Sequence, residues 1–165
     1  MPLLPDRTCR EVYRGETLSL QVMDRLGVRF CTHSEPYAVI SITDPNLEHP
    51  ALVRSEYCRA VLPIRFYDLD GRVATLRTGA TRVGFTAEMA GRIRDFVREQ
   101  SGNGVDLFVV NCEFGVSRSA GVAAALSFFY NHDETFFLVH FQPNTHVRRL
   151  VLEALRGDPD IDGPP

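Results

Sequence analysis

The chain contains no lysine: all 18 of its basic residues are arginines. Schiff-base, carbamate and lysine general-base chemistry are thereby excluded, and every side-chain cation other than histidine is a planar guanidinium. Genomic base composition is the simpler source of such a bias, with selection for anion binding second. Nor is there an excess of positive charge. A formal net charge of -3 and a pI near 5.9 make neither a nucleic-acid backbone nor an anionic membrane an expected partner, so any anion chemistry has to be local. No apolar run approaches the ~18 residues of a membrane span. The opening MPLLPDRTCREVYRGE lacks the apolar stretch of a signal peptide. The four cysteines, Cys9, Cys31, Cys58 and Cys112, are widely spaced without a C-x-x-C pair, which suggests neither a zinc site nor a disulfide framework. The expectation is a cytoplasmic protein with free thiols and no metal or other cofactor.

What is present is the composition of an ordinary globular chain: 165 residues, 44% hydrophobic and 24% charged. That length predicts one domain, residues 1–156, followed by a flexible tail, 157–165, whose sequence GDPDIDGPP resists regular structure. Three short, nearly all-apolar runs read as strands covered on both faces: YAVISIT (37–43), AVLPIRF (60–66) and DLFVVNC (106–112). Pro63 places the second at an edge or a bulge. Helices are predicted after the Thr86 cap, where Met89, Ile93, Phe96 and Val97 recur at helical spacing up to Gly102, over the Ala-rich 118–130, and over 146–156. The region 17–30 reads as a further helix over TLSLQVMDRLG. Strands alternating with helices predict an α/β three-layer sandwich, a central mainly parallel sheet flanked by helices.

The informative stretch is VVNCEFGVSRSAGVAAAL, residues 109–126. It runs strand, Cys112, a five-residue loop (Glu113, Phe114, Gly115, Val116, Ser117), Arg118, helix. A loop that turns a buried strand into a helix brings its backbone N–H groups together with the helix N-terminus, which makes a nest for an anion. Gly115 permits the positive φ that such a turn needs. Arg118 can lay its fork over two phosphate oxygens, and Cys112 sits beneath them with its thiolate favoured by the same N–H groups.

In its pattern C-x-x-G-x-x-R-S followed by AGVAAAL, this segment resembles the active-site loop of cysteine-dependent protein tyrosine phosphatases of the dual-specificity type. AVLPIRFYDLD is similar to the segment that supplies that superfamily's general acid, FQPNTHVRRLVLEAL to its late Pro-Asn turn and last helix, and YAVISITDP to small bacterial and phage members. The resemblance covers most of residues 37–156. It implies attack by the Cys112 thiolate on a phosphomonoester, an aspartate as proton donor, hydrolysis of a phosphocysteine, and no metal. Ser119 would donate to the sulfur, and Asn144 would hydrogen-bond near the loop while also suiting a helix cap. Asn111 departs from the pattern, in which histidine precedes the nucleophile; its amide can donate a hydrogen bond but carries no charge.

Two acids compete as donor. Asp70 precedes Gly71 and is explained by turn chemistry alone, whereas Asp68 has no such explanation and is preferred. From Gly71 to Ala87 the chain carries Arg72, Arg77 and Arg82 and no acid, which reads as a solvated loop or as a mobile rim attracting phosphorylated substrate. His132, His140 and His146 have no metal-ligand spacing. The expected partner is a phosphorylated protein, phosphotyrosine or dual-specificity, or a small phosphomonoester. The alternative is a pseudophosphatase that holds phosphate without cleaving it. Rhodanese-type sulfur transfer also uses a cysteine on a loop before a helix, but the five-residue gap to Arg118 and the following Ser119 argue against it.

Overall fold

A computed structural model describes residues 11–157. In chain order these form β1 (Tyr13–Arg14), β2 (Ser19–Met23), the one-turn α1 (Arg25–Val28), β3 (Tyr37–Thr43), β4 (Cys58–Arg65), β5 (Val73–Thr75), β6 (Thr81–Val83), α2 (Ala87–Gly102), β7 (Leu107–Asn111), α3 (Arg118–Asn131), α4 (Thr135–His140) and α5 (Thr145–Arg156). Five strands make one sheet in the order β1-β2-β7-β3-β4. All neighbours in it are parallel except the β1–β2 pair. The result is a mixed α/β fold, a central sheet flanked by helices.

Side-chain alternation assigns the two faces. Leu20 and Val22 of β2, Phe108 and Val110 of β7, and Ala38, Ile40 and Ile42 of β3 enter the larger core beneath α2, α3 and α5. Their neighbours Met23, Leu107, Val109, Tyr37 and Val39 form a smaller core with Val28 of α1, against which Val12, Cys31, Leu52 and Tyr57 pack. Each fully buried Val, Leu or Ile contributes roughly 1.5–3 kcal/mol, so the larger core dominates stability. Pro63 lies on the edge strand β4, where a missing N–H leaves no ladder bond unmade. Helix α3 is buried nearly all round, and its small side chains are what allow this. At Gly121 a Cβ would sit 2.8 Å from the Asn144 carbonyl and 3.2 Å from Val147. Any side chain there would push α5 away.

Two expectations are corrected. Residues 17–30 do not form a helix: Ser19–Met23 is a strand paired in parallel with β7, and only Arg25–Val28 is helical, capped by Asp24, whose carboxylate accepts from the Gly27 N–H at 2.6 Å. Leu18, Leu20 and Val22 alternate with the period of two of a strand, whereas a helix turning ~100° per residue would set Leu20 opposite the other two, and the place beside β7 buries the strand. The segment after Asp70 is not an irregular loop either. It is the antiparallel hairpin β5–β6, with Val73 opposite Val83 and Thr75 opposite Thr81. Among the described residues no helix is long and apolar enough to cross a membrane. Cys9 and the tail beyond Gly157 lie outside the described residues.

One amide ties the last turn of α3 to the start of β2. Asn131 Oδ1 accepts from the Thr17 and Leu18 N–H groups, both at 2.9 Å, while Nδ2 donates to the Leu18 carbonyl at 3.0 Å and to Ser127 Oγ at 3.2 Å. Asn131→Ala strands buried backbone groups and should cost about 2–3 kcal/mol, read as a lower urea midpoint at constant m-value. A midpoint left unchanged would mean that β2 is held by other contacts.

Candidate active site

Strands β2, β3, β4 and β7 run parallel, so the loops leaving their C-terminal ends gather on one edge of the sheet, where open α/β sheets place their ligand crevices. The loop after β7 begins at Cys112, 2% exposed, whose N–H donates to the Met23 carbonyl at 3.3 Å. Ser119 Oγ, in the first turn of α3, lies 3.0 Å from Cys112 Sγ. Gly115 takes φ +62°. A Cβ there would stand 2.6 Å from the backbone of Met23 and Asp24, so both the turn and the space require glycine.

The loop's carbonyls are tied outward. Glu113 accepts from the Arg25 N–H at 3.2 Å, Val116 from the Gln142 N–H at 3.1 Å, and Ser117 from the N–H groups of Gly121 at 2.8 Å and Asn144 at 3.0 Å. Among the described residues, no backbone bond outside the regular elements starts from an N–H of residues 113–117. Ser117 stands at the N-cap of α3 but makes no side-chain cap. Its hydroxyl donates instead to Asp68 Oδ1 at 3.0 Å, so it is more than a simple loop residue. A row of uncommitted N–H groups and an uncapped helix start together carry partial positive charge suited to an anion.

Arg118 is 4% exposed. Its Nη1 donates to Asp44 Oδ1 at 2.6 Å and to the Phe66 carbonyl at 2.7 Å. Both bonds use one nitrogen, so Nε and Nη2, the pair that forms a bidentate fork, are left for a ligand. Asp68 Oδ1 also accepts from Asn144 Nδ2 at 2.7 Å, and the same Nδ2 donates to the Leu69 carbonyl at 2.9 Å. Asn144 Oδ1 meanwhile caps α5 by accepting from the Val147 N–H at 3.0 Å. One side chain thus fills both roles considered for it, cap and loop support. Cys112, Arg118, Asp68, Phe114, Val116 and Ser117 line a single cavity of about 310 Å³. Asp70 is not among the residues lining it.

Glu113 faces away from the cavity. Arg25 Nη1 donates to Thr43 Oγ1 at 2.9 Å and to Glu113 Oε1 at 3.1 Å, and Thr43 Oγ1 donates to Glu113 Oε1 at 2.8 Å; Arg25 Nη2 also donates to the Glu48 carbonyl. These bonds brace the loop from behind. Nothing in the local sequence marks Arg25 or Thr43, and Asp44, standing before Pro45, has the ordinary chemistry of a turn. The signal that could have found Asp44 is its place directly after a strand predicted to lie in the parallel sheet. Asn111 behaves differently from expectation: it is fully buried, paired in register with Met23 and Ser41 on the face away from Cys112, and neither polar atom of its amide has a hydrogen-bond partner. Of the other thiols, Cys31 and Cys58 sit against the smaller core, and burial pushes the Cys58 thiol above its ordinary value.

No protein-family model matches the sequence, nor does any curated protein. Solved structures do match in fold. The human tyrosine phosphatase-like serine/threonine/tyrosine-interacting protein superposes with a TM-score of 0.55 at 12% identity over 83% of this chain and 89% of that one. A mouse protein described as a dual specificity phosphatase, complexed with zinc tungstate, superposes with a TM-score of 0.56 at 13% identity over 88% and 86%.

Two substitutions probe this geometry. Gly115→Ala forces a non-glycine residue into the left-handed region against backbone, at about 1–3 kcal/mol, and should weaken binding of inorganic phosphate in calorimetry. Phosphate bound as tightly as by the parent would remove the turn from the account. Asn111→Leu replaces an orphaned buried amide by an apolar group of the same branching and should raise stability by about 1–3 kcal/mol, as a higher denaturation midpoint; a lower one would show that the amide is satisfied in solution.

Proposed function

We propose that the protein hydrolyses phosphomonoesters through a phosphocysteine formed on Cys112, with phosphotyrosine as the favoured substrate class. The observation that carries this reading is the convergence on one cavity of a recessed thiol, uncommitted loop N–H groups, a guanidinium with its fork open, and a carboxylate. Solved structures of the same fold that include a dual specificity phosphatase support phosphoester chemistry in general.

In the first step the Cys112 thiolate attacks phosphorus in line. The S–P bond forms as the P–O bond to the leaving group breaks, and Asp68 gives its proton to the departing oxygen. The three other oxygens gather charge in a transition state met by the loop N–H groups, the α3 N-terminus and Arg118. Asp68 Oδ1 is held by Ser117 and Asn144, which aims Oδ2 as the proton carrier. In the second step water attacks phosphorus, Asp68 takes a proton from it, and the S–P bond breaks to return thiolate, with the Ser119 hydroxyl donating to the leaving sulfur. Phe114, 78% exposed at the mouth, and Val116 offer apolar walls to an aromatic ring, which supports an aryl phosphate over a short aliphatic one. A module that only held phosphate would not call for a carboxylate aimed at the leaving group by two separate donors, so the catalytic reading is preferred to the pseudophosphatase.

Cys112→Ser should abolish turnover of p-nitrophenyl phosphate while retaining phosphate binding, because the backbone nest survives. Asp68→Asn should slow substrates with poor leaving groups by roughly 10²–10⁴-fold, and p-nitrophenyl phosphate much less; Asp70→Asn should do little. Parent protein inert toward every phosphomonoester, yet binding phosphate, would favour the holding module.

A further inference from the structure

Between the acid-bearing loop and α2 the chain leaves the body of the protein as the hairpin β5–β6. Its strands add nothing to either core: Val73 is 56% exposed, Val83 47% and Leu76 37%, and every residue of Thr81–Val83 is exposed. An isolated two-stranded hairpin is marginal in water, so a core role does not account for it. Its base, by contrast, is pinned. The Tyr67 N–H donates to the Val83 carbonyl at 3.0 Å and the Gly84 N–H to the Arg72 carbonyl at 2.8 Å. The Arg82 guanidinium lies 4.7 Å from the centre of the Tyr67 ring, and the next residue, Asp68, lines the cavity. At Gly84 a Cβ would stand 2.3 Å from the Gly71 carbonyl, so the two legs meet at the closest approach glycine allows. The hairpin therefore projects from the wall of the candidate active site in a set direction.

We infer that β5–β6 is a docking arm for an acidic polypeptide segment flanking the phosphorylated residue of a protein substrate. This rests on the phosphatase reading and names its substrate class. Arg72, Arg77 and Arg82 stand in a stretch, residues 71–87, with no acidic residue, in a chain whose net charge is -3. None of the ion pairs among the described residues involves them. Their field is local and of the sign that attracts carboxylates. Each arginine is a sequence neighbour of an exposed aliphatic, Val73, Leu76 or Val83, a mixture that suits acidic and apolar side chains in one segment. On β6 the Val83 carbonyl is already taken by Tyr67, but β5 pairs only with β6 and so keeps an outer edge of N–H and C=O groups that an extended peptide can match and that neither a lipid headgroup nor a sugar–phosphate chain can. The hairpin also carries no aromatic ring on which a base could stack. At ~3.3 Å per residue an extended peptide of about six residues matches the stretch of chain from Arg72 to Arg77.

The test compares the parent with Arg72→Glu/Arg77→Glu, leaving Arg82 intact because it packs on Tyr67. Phosphotyrosyl peptides sharing one core but flanked by acidic, neutral or basic residues serve as substrates beside p-nitrophenyl phosphate. The parent should favour acidic flanks over neutral ones by about tenfold or more in kcat/KM at low salt, and less as salt rises. The double variant should lose or invert that preference while hydrolysing p-nitrophenyl phosphate at the parental rate. No preference in the parent, or one unchanged by the charge reversal, overturns the arm. So does a loss confined to 5′-phosphorylated oligoribonucleotides or to phosphoinositide vesicles, assayed in parallel. If the parent cleaves nothing, the phosphatase reading fails separately, and anisotropy of a labelled acidic phosphopeptide still decides the arm: binding weakened about tenfold by the charge reversal supports it, and equal binding to both proteins overturns it.

Discussion

Everything in the cavity depends on how residues 113–117 turn β7 into α3 while keeping their own N–H groups uncommitted. Turns normally satisfy themselves with internal bonds. Here the carbonyls of Glu113, Val116 and Ser117 are taken by donors from α1, the Gln142–Asn144 turn and α3 itself, and the N-cap hydroxyl that would close the helix start is drawn away to Asp68. The positive end of α3 is thereby left facing the cavity, the one place where an anion lowers the cost of an unfinished helix.

Holding such a loop open needs support from outside, and the supports are polar groups well separated in sequence. Arg25, Thr43 and Glu113 close a half-buried cluster behind it. Asp44 and the Phe66 carbonyl grip one nitrogen of Arg118, which pre-sets the guanidinium plane and removes the entropy a long side chain would otherwise lose on meeting a ligand. Asn144 joins the acid loop, the β7–α3 turn and α5 in one residue. The arrangement is reciprocal: if α5 shifts, Asp68 shifts with it.

The hairpin β5–β6 extends that coupling outward. It lengthens the chain between Asp68 and Cys112 without disturbing the sheet, because it leaves and returns at backbone bonds next to Tyr67 and Gly84. A large exposed insertion is tolerated when its two ends are already held together, since loop-closure entropy rises only slowly with length.

What the sequence by itself determined is what local rules govern. The runs 37–43 and 106–112 are apolar enough to be nothing but covered strands, Thr86 before a helical period starts a helix, and C-x-x-G-x-x-R-S at a strand-to-helix junction sets a glycine turn, an arginine and a helix start side by side, since these are neighbours in the chain. Turn chemistry could also set Asp68 apart from Asp70. Only the tertiary structure decided that 19–23 is a strand, because the place beside β7 buries all five of its residues, the polar Ser19 and Gln21 included. It alone brought Asp44 and Arg25 to the loop, gave Asn144 its reach to Asp68, and left the Asn111 amide on the far side of the sheet with no partner. Those facts depend on strand order and on the parity of facing residues, and a chain read one residue at a time carries neither.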